Sequence, residues 1–191
     1  MKMPPRMCFG CPVRTGPDGS TLDSGLSRAS HPNLQSGISF VPQVSLHTPV
    51  GDLTVFEEDG HIVSLDWGWV PQQQPSPALE RASAQLQAYF DGELTEFDLP
   101  VAPAGTPYRR AVWKALCDIP YGETRSYQDI ARQAGGSARS VGQANGRNPI
   151  PLIIPCHRVV AASHIGGYSG GDGLITKRWL LALENPSRTL L

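Results

Sequence analysis

The sequence predicts an α/β fold of the α+β type, built from two parts that follow one another along the chain. Residues 38–67 alternate between apolar and polar side chains, which is the period of half-buried strands. A helix with clear start and stop signals follows at 76–92. From residue 106 onwards, short helical segments are separated by breaks that contain glycine. We therefore predict a three-stranded antiparallel sheet with one helix, followed by a helical part.

The chain divides into three predicted segments: 1–37, 38–103 and 104–191. The first is rich in Pro, Gly and Ser without apolar periodicity, and we interpret it as a flexible or irregular leader. Cys8 and Cys11 have the spacing of half a zinc site that His31 could complete. No second pair with this spacing appears, so we predict no metal site.

Three strands are predicted in the second segment. The alternation covers 38–46, 53–56 and 61–67, and Asp59-Gly60 supplies a hairpin turn between the last two. In the helix that follows, Ser76 is the N-cap and Pro77 takes the first helical position. Its apolar positions recur at helical spacing and are Leu79, Ala82, Leu86 and Phe90.

The third segment is predicted to contain a helical hairpin. Thr106 caps a helix that the break at 120–122 ends, and 126–129 is a capping-box signature for a second helix that stops at 135–136. A third helix covers 138–145. Two short helices with a tight glycine turn between them resemble a helix-turn-helix, although such hairpins also occur in proteins that never meet DNA.

The charge distribution favours DNA as the partner of this hairpin. Residues 1–103 contain five Lys/Arg and twelve Asp/Glu, whereas residues 104–191 contain eleven Lys/Arg and five Asp/Glu. The alternative is an evenly solvated surface, but a basic half joined to an acidic half is typical of a chain whose basic half meets a polyanion. In a helix-turn-helix the second helix, which carries Arg139, would lie against DNA.

A reactive cysteine is predicted at the end of an apolar run. The run 150–154 leads into Pro155 and then Cys156, His157 and Arg158. Prolines on both sides exclude a helix interior. Cysteine attacks as the thiolate, and a neighbouring base or cation raises the fraction that is ionised. The alternative is a buried structural cysteine, which is common for free thiols.

Two further segments complete the predicted site. The glycine-dense loop 166–173 lacks the order of residues that a phosphate-binding loop requires, and we interpret it as a mobile wall beside the cysteine or as an ordinary linker. The last predicted helix, 177–184, is largely apolar and ends in the carboxylate of Glu184, which requires a partner.

No stretch reaches the roughly eighteen apolar residues that a membrane span requires, and the first thirty residues lack the apolar core of a secretory signal. The four cysteines are too scattered for a disulfide framework. We therefore expect a cytoplasmic protein that does not contact a membrane.

Three motifs in this order resemble the O6-alkylguanine-DNA alkyltransferase family, the methylated-DNA-protein-cysteine methyltransferases. They are 148–160 (NPIPLIIPCHRVV), 167–171 (GYSGG) and 177–184 (KRWLLALE). The resemblance covers residues 107–184, is looser over 38–100 and is absent from 1–37. The positions in family order are Tyr127, Arg139, Asn148, Cys156, Ser169 and Glu184.

The resemblance implies an N-terminal ribonuclease-H-like α/β domain and a C-terminal, winged-helix-like domain with a helix-turn-helix and the reactive cysteine. It also implies direct-reversal DNA repair, in which one alkyl group passes irreversibly from O6 of guanine to Cys156, with O4 of thymine as a further candidate substrate. It implies no cofactor, a monomer, and double-stranded DNA containing O6-alkylguanine as partner.

The resemblance assigns catalytic roles to four residues. Cys156 is the nucleophile, and His157 takes its proton through a water. Glu184 orients and charges the imidazole. Tyr127 donates a hydrogen bond to the guanine ring, which stabilises the leaving base.

The resemblance also assigns the contacts to the flipped base and to DNA. The Ser169 amide meets O6, the Val159 carbonyl accepts from the exocyclic amine, and Tyr168 lies in the same base-binding group. Arg139 fills the stack that the flipped nucleotide leaves, or instead contacts phosphate. Asn148 holds the turn that links the third helix to the active-site strand, a role that is compatible with the alternative of a simple Asn-Pro loop start.

The chain departs from the family in its leader and in the additional Asp172-Gly173, which bears on the size of alkyl group accepted. One alternative function is a thiol hydrolase or peptidase with a Cys-His pair. Another is a lesion-sensing DNA-binding protein with an inert thiol. Proteins of the second kind carry another residue at the cysteine position, so Cys156 argues against it.

Overall fold

The computed structural model describes residues 41–187 of the chain. Three antiparallel strands open it: β1 (Gln43–Leu46), β2 (Leu53–Glu58) and β3 (His61–Trp67), in the sheet order β1-β2-β3. The turn between β2 and β3 is made by Asp59 and Gly60, both with positive φ. The predicted hairpin is therefore confirmed, because Asp-Gly pairs tolerate the left-handed backbone that such turns require.

Helix α1 (Pro77–Phe90) packs against this sheet. The Ser76 side chain accepts a hydrogen bond from the Leu79 amide at 3.2 Å, as its predicted capping role requires. The helix presents one apolar face to the sheet, and its buried residues are Ala78, Leu79, Ala82, Leu86, Tyr89 and Phe90. The predicted helix and its cap are confirmed.

Three short helices form the helix-turn-helix region: α2 (Pro107–Cys117), α3 (Tyr127–Ala134) and α4 (Ala138–Asn145). Capping boxes begin both α3 and α4, with Ser126 and Ser137 as the N-caps. The three helices pack on one another. The fully buried Trp113 of α2 donates from its indole nitrogen to the Ala144 carbonyl of α4 at 2.9 Å, which fixes the two helices together.

The remaining elements surround the cysteine. Cys156–Arg158 is a single 3₁₀ turn, followed by strand β5 (Val159–Val160), which pairs in parallel with β4 (Arg125–Ser126). Helix α5 (Leu174–Glu184) begins three residues before the predicted start at Lys177. Apolar periodicity does not indicate that extra turn, because Leu174 and Ile175 are exposed.

The two parts of the fold share one continuous core, and polar contacts join them close to the cysteine. The Leu65 amide in β3 donates to the Pro149 carbonyl at 2.9 Å. The Tyr89 hydroxyl in α1 donates to Glu184 at 2.8 Å. The sheet therefore braces the segment that carries the cysteine.

Several predictions concern residues outside 41–187. They are the leader 1–37, the start of the first strand at Ile38 and Phe40, and the zinc half-site of Cys8, Cys11 and His31. Within the described residues, no helix has the length and apolar character needed to cross a bilayer. No group of three or more His, Cys, Asp or Glu side chains is placed to hold a metal ion in that part of the chain.

Candidate active site

Two asparagines hold the buried segment that leads to the cysteine. The Nδ2 group of the Asn148 side chain donates to the Ile154 carbonyl at 2.8 Å. Oδ1 of the same side chain accepts from the backbone amide of Ile150 at 3.1 Å. The Asn145 side chain donates to the Cys156 carbonyl at 3.2 Å. Within this turn the buried Leu152 has a φ of 73°, a conformation that costs about 1–3 kcal/mol in a residue other than glycine. The backbone before the cysteine is thus strained at Leu152 and held in place by side-chain hydrogen bonds.

The Cys156 thiol is buried and lines a cavity of about 170 Å³. Burial raises the pKa of this thiol, whereas the Asn148 side chain and the positive charge of Lys177 act to lower it. The net effect is a raised pKa, so the cysteine is a neutral thiol at neutral pH before substrate arrives. A base is therefore needed to form the thiolate.

Lys177 is the cation that most lowers the pKa of the thiol. Its ammonium group, fully buried in α5, donates to the Val159 carbonyl at 2.6 Å and to the Gly167 carbonyl at 3.1 Å. Burial lowers the pKa of Lys177 to about 8. Arg158, which also follows Cys156 closely in the sequence, pairs with Glu184 instead.

Glu184 is the hub of a buried network. Its carboxylate accepts from Nε2 of His157 at 2.7 Å and from Nε of Arg158 at 2.9 Å. The Tyr89 hydroxyl and the Gly122 amide donate to it at 2.8 and 3.2 Å. Burial acts to raise the pKa of Glu184, but the hydrogen bonds from His157 and Arg158 and the positive charge of Arg158 outweigh it and lower the pKa to about 2. The sequence predicts a partner for this carboxylate, and the structure provides four residues that donate hydrogen bonds to it.

The tautomer of His157 follows from this arrangement. Burial lowers the pKa of the imidazole despite the nearby carboxylate, so the ring is neutral at neutral pH. An ionised carboxylate only accepts, and we therefore assign the ring proton to Nε2, which leaves a lone pair on Nδ1. Nδ1 has no hydrogen-bond partner among residues 41–187, and no direct hydrogen bond joins it to the thiol there. His157 has the tautomer of a general base.

Tyr127 begins α3 and faces the glycine loop. A Cβ added at Gly166, whose φ is 76°, would lie 3.1 Å from the Tyr127 hydroxyl oxygen, so glycine is required at this position. Burial raises the pKa of Tyr127, which keeps the phenol protonated and able to donate. The predicted base contact thus has a suitable donor on the edge of the site.

The glycine loop places Tyr168 and Ser169 in the lining of the cavity. The Tyr168 hydroxyl is buried without a well-formed hydrogen bond in the described residues, and burial followed by its nearness to Cys156 raises its pKa. The Ser169 amide donates to no other residue in the range 41–187. The Val159 carbonyl, at the start of β5, accepts from Lys177.

Arg139 is apart from this cluster. It lies exposed on the first turn of α4 and forms no ion pair within the described residues. A guanidinium in this position is available to a nucleic acid.

The N-terminal part contributes four residues to the site that were not predicted to take part. Leu65, Asp66 and Trp67 at the end of β3 line the cysteine cavity, and Tyr89 of α1 contacts Glu184. No local motif marks them. Only the docking of the sheet against the C-terminal part brings them to the cysteine.

Fold and site define a class: a two-part protein in which a cysteine nucleophile, with a carboxylate-oriented histidine, lies beside a helix-turn-helix. Residues 44–103 match the 6-O-methylguanine DNA methyltransferase ribonuclease-like domain, and residues 107–186 match the DNA binding domain of the same proteins. The chain belongs to this family of methyltransferases, as the motifs of the sequence predict.

Relatives match over most of the chain. A methylated-DNA-protein-cysteine methyltransferase of Mycobacterium bovis is 47% identical over 150 residues, which cover 73% of this chain and 90% of the relative. A constitutive enzyme of the same name from Bacillus subtilis is 44% identical over 154 residues, which cover 73% of this chain and 93% of that relative. A Mycobacterium tuberculosis relative solved in complex with DNA superposes with a TM-score of 0.69 at 46% identity, covering 76% of this chain and 94% of that one.

Proposed function

We propose that the protein repairs DNA by taking an alkyl group from O6 of guanine onto Cys156, once per molecule. The observation that carries this proposal is the buried chain from Glu184 to His157, which provides a base of the correct tautomer next to a thiol whose pKa is raised. Family membership and the DNA complex of the Mycobacterium tuberculosis relative support it.

The proposed step is an in-line displacement. Nδ1 of His157 receives the thiol proton through a bridging water, and Sγ of Cys156 then attacks the alkyl carbon. A sulfur–carbon bond forms while the carbon–O6 bond breaks, and its electron pair goes to the guanine, which takes a proton from the Tyr127 hydroxyl as it leaves. The proton held on His157 then returns to Tyr127 through water. The Glu184 carboxylate stabilises the imidazolium that forms. The thioether product has no hydrolysable acyl bond, so each molecule reacts once.

Base recognition would use the edge of the cavity. The Ser169 amide would donate to O6, the Tyr127 hydroxyl to the guanine ring, and the Val159 carbonyl would accept from the exocyclic amine. The Ser169 amide and the Tyr127 hydroxyl, as donors, stabilise negative charge as it develops on the leaving base. The same contacts explain why guanine is favoured over the other bases.

The nucleotide would have to leave the duplex to reach Cys156, because an O6-alkyl group is inaccessible in the stack. Arg139 on α4 would fill the gap or hold a phosphate. The excess of Lys and Arg in residues 104–191 supports binding to the DNA backbone, and binding should weaken as salt rises. We propose that the protein acts as a monomer.

Titration of a methylated duplex tests this function. Increasing amounts of protein are mixed with a fixed amount of duplex containing one O6-methylguanine, and the restored guanine is quantified. The expected result is one guanine restored per protein molecule, with no further repair on longer incubation. Repair of many lesions per molecule, or binding without repair, would instead favour a catalytic hydrolase or a lesion sensor.

A further inference from the structure

Trp67, at the end of β3, lines two cavities. One is the cavity of about 170 Å³ that contains Cys156. The other has a volume of about 550 Å³ and lies between the β1-β2 turn and α5. Trp67 is the one residue of the described chain that lines both cavities, so its indole stands between them.

The indole is held firmly in this place. Its ring meets the Tyr168 ring edge-on, with 6.3 Å between centroids and 88° between planes. Its Nε1 donates to the Val50 carbonyl at 3.3 Å. A Cβ at Gly170 would lie 2.7 Å from Cζ3 of the indole, and a Cβ at Gly171 would lie 2.8 Å from Nε1. Two glycines thus allow the loop backbone to lie directly against the ring.

The cysteine cavity leaves little room beyond the base. A cavity of about 150 Å³ accommodates benzene, and guanine is a larger, bicyclic ring. A flipped guanine therefore fills most of the 170 Å³, and the space left near Cys156 suits a small alkyl group. Tyr168 and Trp67 close the loop side and the sheet side of that space.

The larger cavity would suit an aromatic group. Its lining includes Val50, Ile175 and Trp179, and 69% of Ile175 and 36% of Trp179 are exposed. These side chains offer apolar contact to any group that passes the indole. Removal of the ring would join this space to the cysteine cavity.

We infer that Trp67 sets the largest O6-alkyl group that the protein accepts, because it closes the cysteine cavity against the larger one. This inference rests on the proposed function and adds a specificity-determining residue from the N-terminal sheet. The chemical step is unchanged: sulfur bonds to the alkyl carbon, the carbon–O6 bond breaks, and guanine leaves with a proton. Only the size of the transferred group is selected.

The test compares two duplexes that differ only in the lesion, O6-methylguanine or O6-benzylguanine. Single-turnover rates of transfer are measured by intact protein mass for the wild type, Trp67→Ala, Trp67→Phe and Trp69→Ala. Trp69 is the matched control, because it is exposed, stacks on His47 and lines neither cavity.

We expect the ratio of benzyl to methyl rate to rise about tenfold or more in Trp67→Ala, to rise less in Trp67→Phe, and to stay unchanged in Trp69→Ala. A ratio in Trp67→Ala equal to that of the wild type would overturn the inference. If Trp67→Ala does not fold, Trp67→Phe decides: an increased ratio supports the role of Trp67, and an unchanged ratio overturns it.

The methyl duplex separates this inference from the proposed function. If the wild type transfers methyl but the ratio does not respond to Trp67, only the size-selecting role fails. If the wild type transfers neither group, the proposed function itself fails.

Discussion

The carboxylate of Glu184 determines what the histidine beside it can do. Because Glu184 stays ionised and accepts from Nε2 of His157, the lone pair of the imidazole is on Nδ1. An amide at position 184 would present its own N–H groups and would allow the opposite tautomer. The chemistry of the thiol thus depends on a residue 27 positions further along the chain.

We expect Glu184→Gln to slow single-turnover methyl transfer by about 100-fold or more, because the base then has the wrong tautomer and its imidazolium loses a counter-charge. The rate is measured by quenched-flow repair of an O6-methylguanine duplex. Glu123→Gln is the control, since Glu123 is half exposed and pairs only with Arg125 among residues 41–187. An unchanged rate in a folded Glu184→Gln protein would remove Glu184 from the mechanism.

Lys177 influences the thiol through charge. Its ammonium lowers the pKa of Cys156. Because the pKa of Lys177 is about 8, Lys177 loses its charge as the pH rises above about 8, and its effect on the pKa of the thiol is then lost. We expect Lys177→Met to lower the rate of alkylation by iodoacetamide about threefold to tenfold at neutral pH, with a difference that narrows at higher pH. Arg178→Met, on the exposed face of the same helix, should leave the profile unchanged.

The pH dependence distinguishes charge from packing. A purely structural role for Lys177 would lower the rate equally at every pH. Superimposable profiles for the wild type and Lys177→Met would contradict the electrostatic role.

At the scale of elements, the helix pair α3 and α4 presents Arg139 to the solvent on the first turn of α4. Tyr127, the first residue of α3, lies against the glycine loop. One compact hairpin therefore joins the surface that would meet DNA to the edge of the cysteine cavity.

We expect Arg139→Ala to slow repair of an O6-methylguanine duplex by about tenfold, while its reaction with free O6-methylguanine changes little. The free base needs no flipping, so the loss of a residue that fills the stack affects only the duplex. Arg81→Ala on α1 is the control for a lost positive charge. Equal slowing with both substrates would exclude the proposed role of Arg139.

Local chemistry explains why most elements could be predicted from the sequence. Ser76, the capping box at Ser126 and the Asp59-Gly60 turn each act within three residues, so their signals can be read from short segments. The first turn of α5 escaped prediction because its apolar residues face solvent.

The site was only partly predictable, because only signals that act within short segments can be read from the sequence. The motif around Cys156 and the family order of its partners are local or inherited signals. The contact between Tyr89 and Glu184 joins residues 95 positions apart, and Trp67 reaches the cavity only through docking of the sheet. No periodicity or spacing indicates such contacts, since they depend on tertiary packing.

At the scale of the whole molecule, Glu184 links the two parts of the fold. It contacts α1 through Tyr89, the segment after α2 through Gly122, and the cysteine turn through His157 and Arg158. Protonation of this one carboxylate would weaken contacts on every side of it. The stability of the fold should therefore depend on pH in an identifiable window.

The pKa of Glu184 is lowered from its ordinary value of 4.5 to about 2, so its stabilising contribution is complete above pH 4.5 and is lost as the pH falls towards 2. The shift corresponds to roughly 3 kcal/mol of unfolding free energy. Urea unfolding at a series of pH values should show this loss in the wild type and a flatter dependence in Glu184→Gln. Parallel curves for the two proteins would contradict the assignment.

The most direct test of the account is the mass and position of the modification after reaction with an O6-methylguanine duplex. We predict one methyl group per molecule, located on Cys156 by peptide mapping, retained in Cys117→Ser and lost in Cys156→Ser. A methyl group on another residue, or a fully unmodified protein after guanine has been restored, would contradict the claim that Cys156 is the alkyl acceptor.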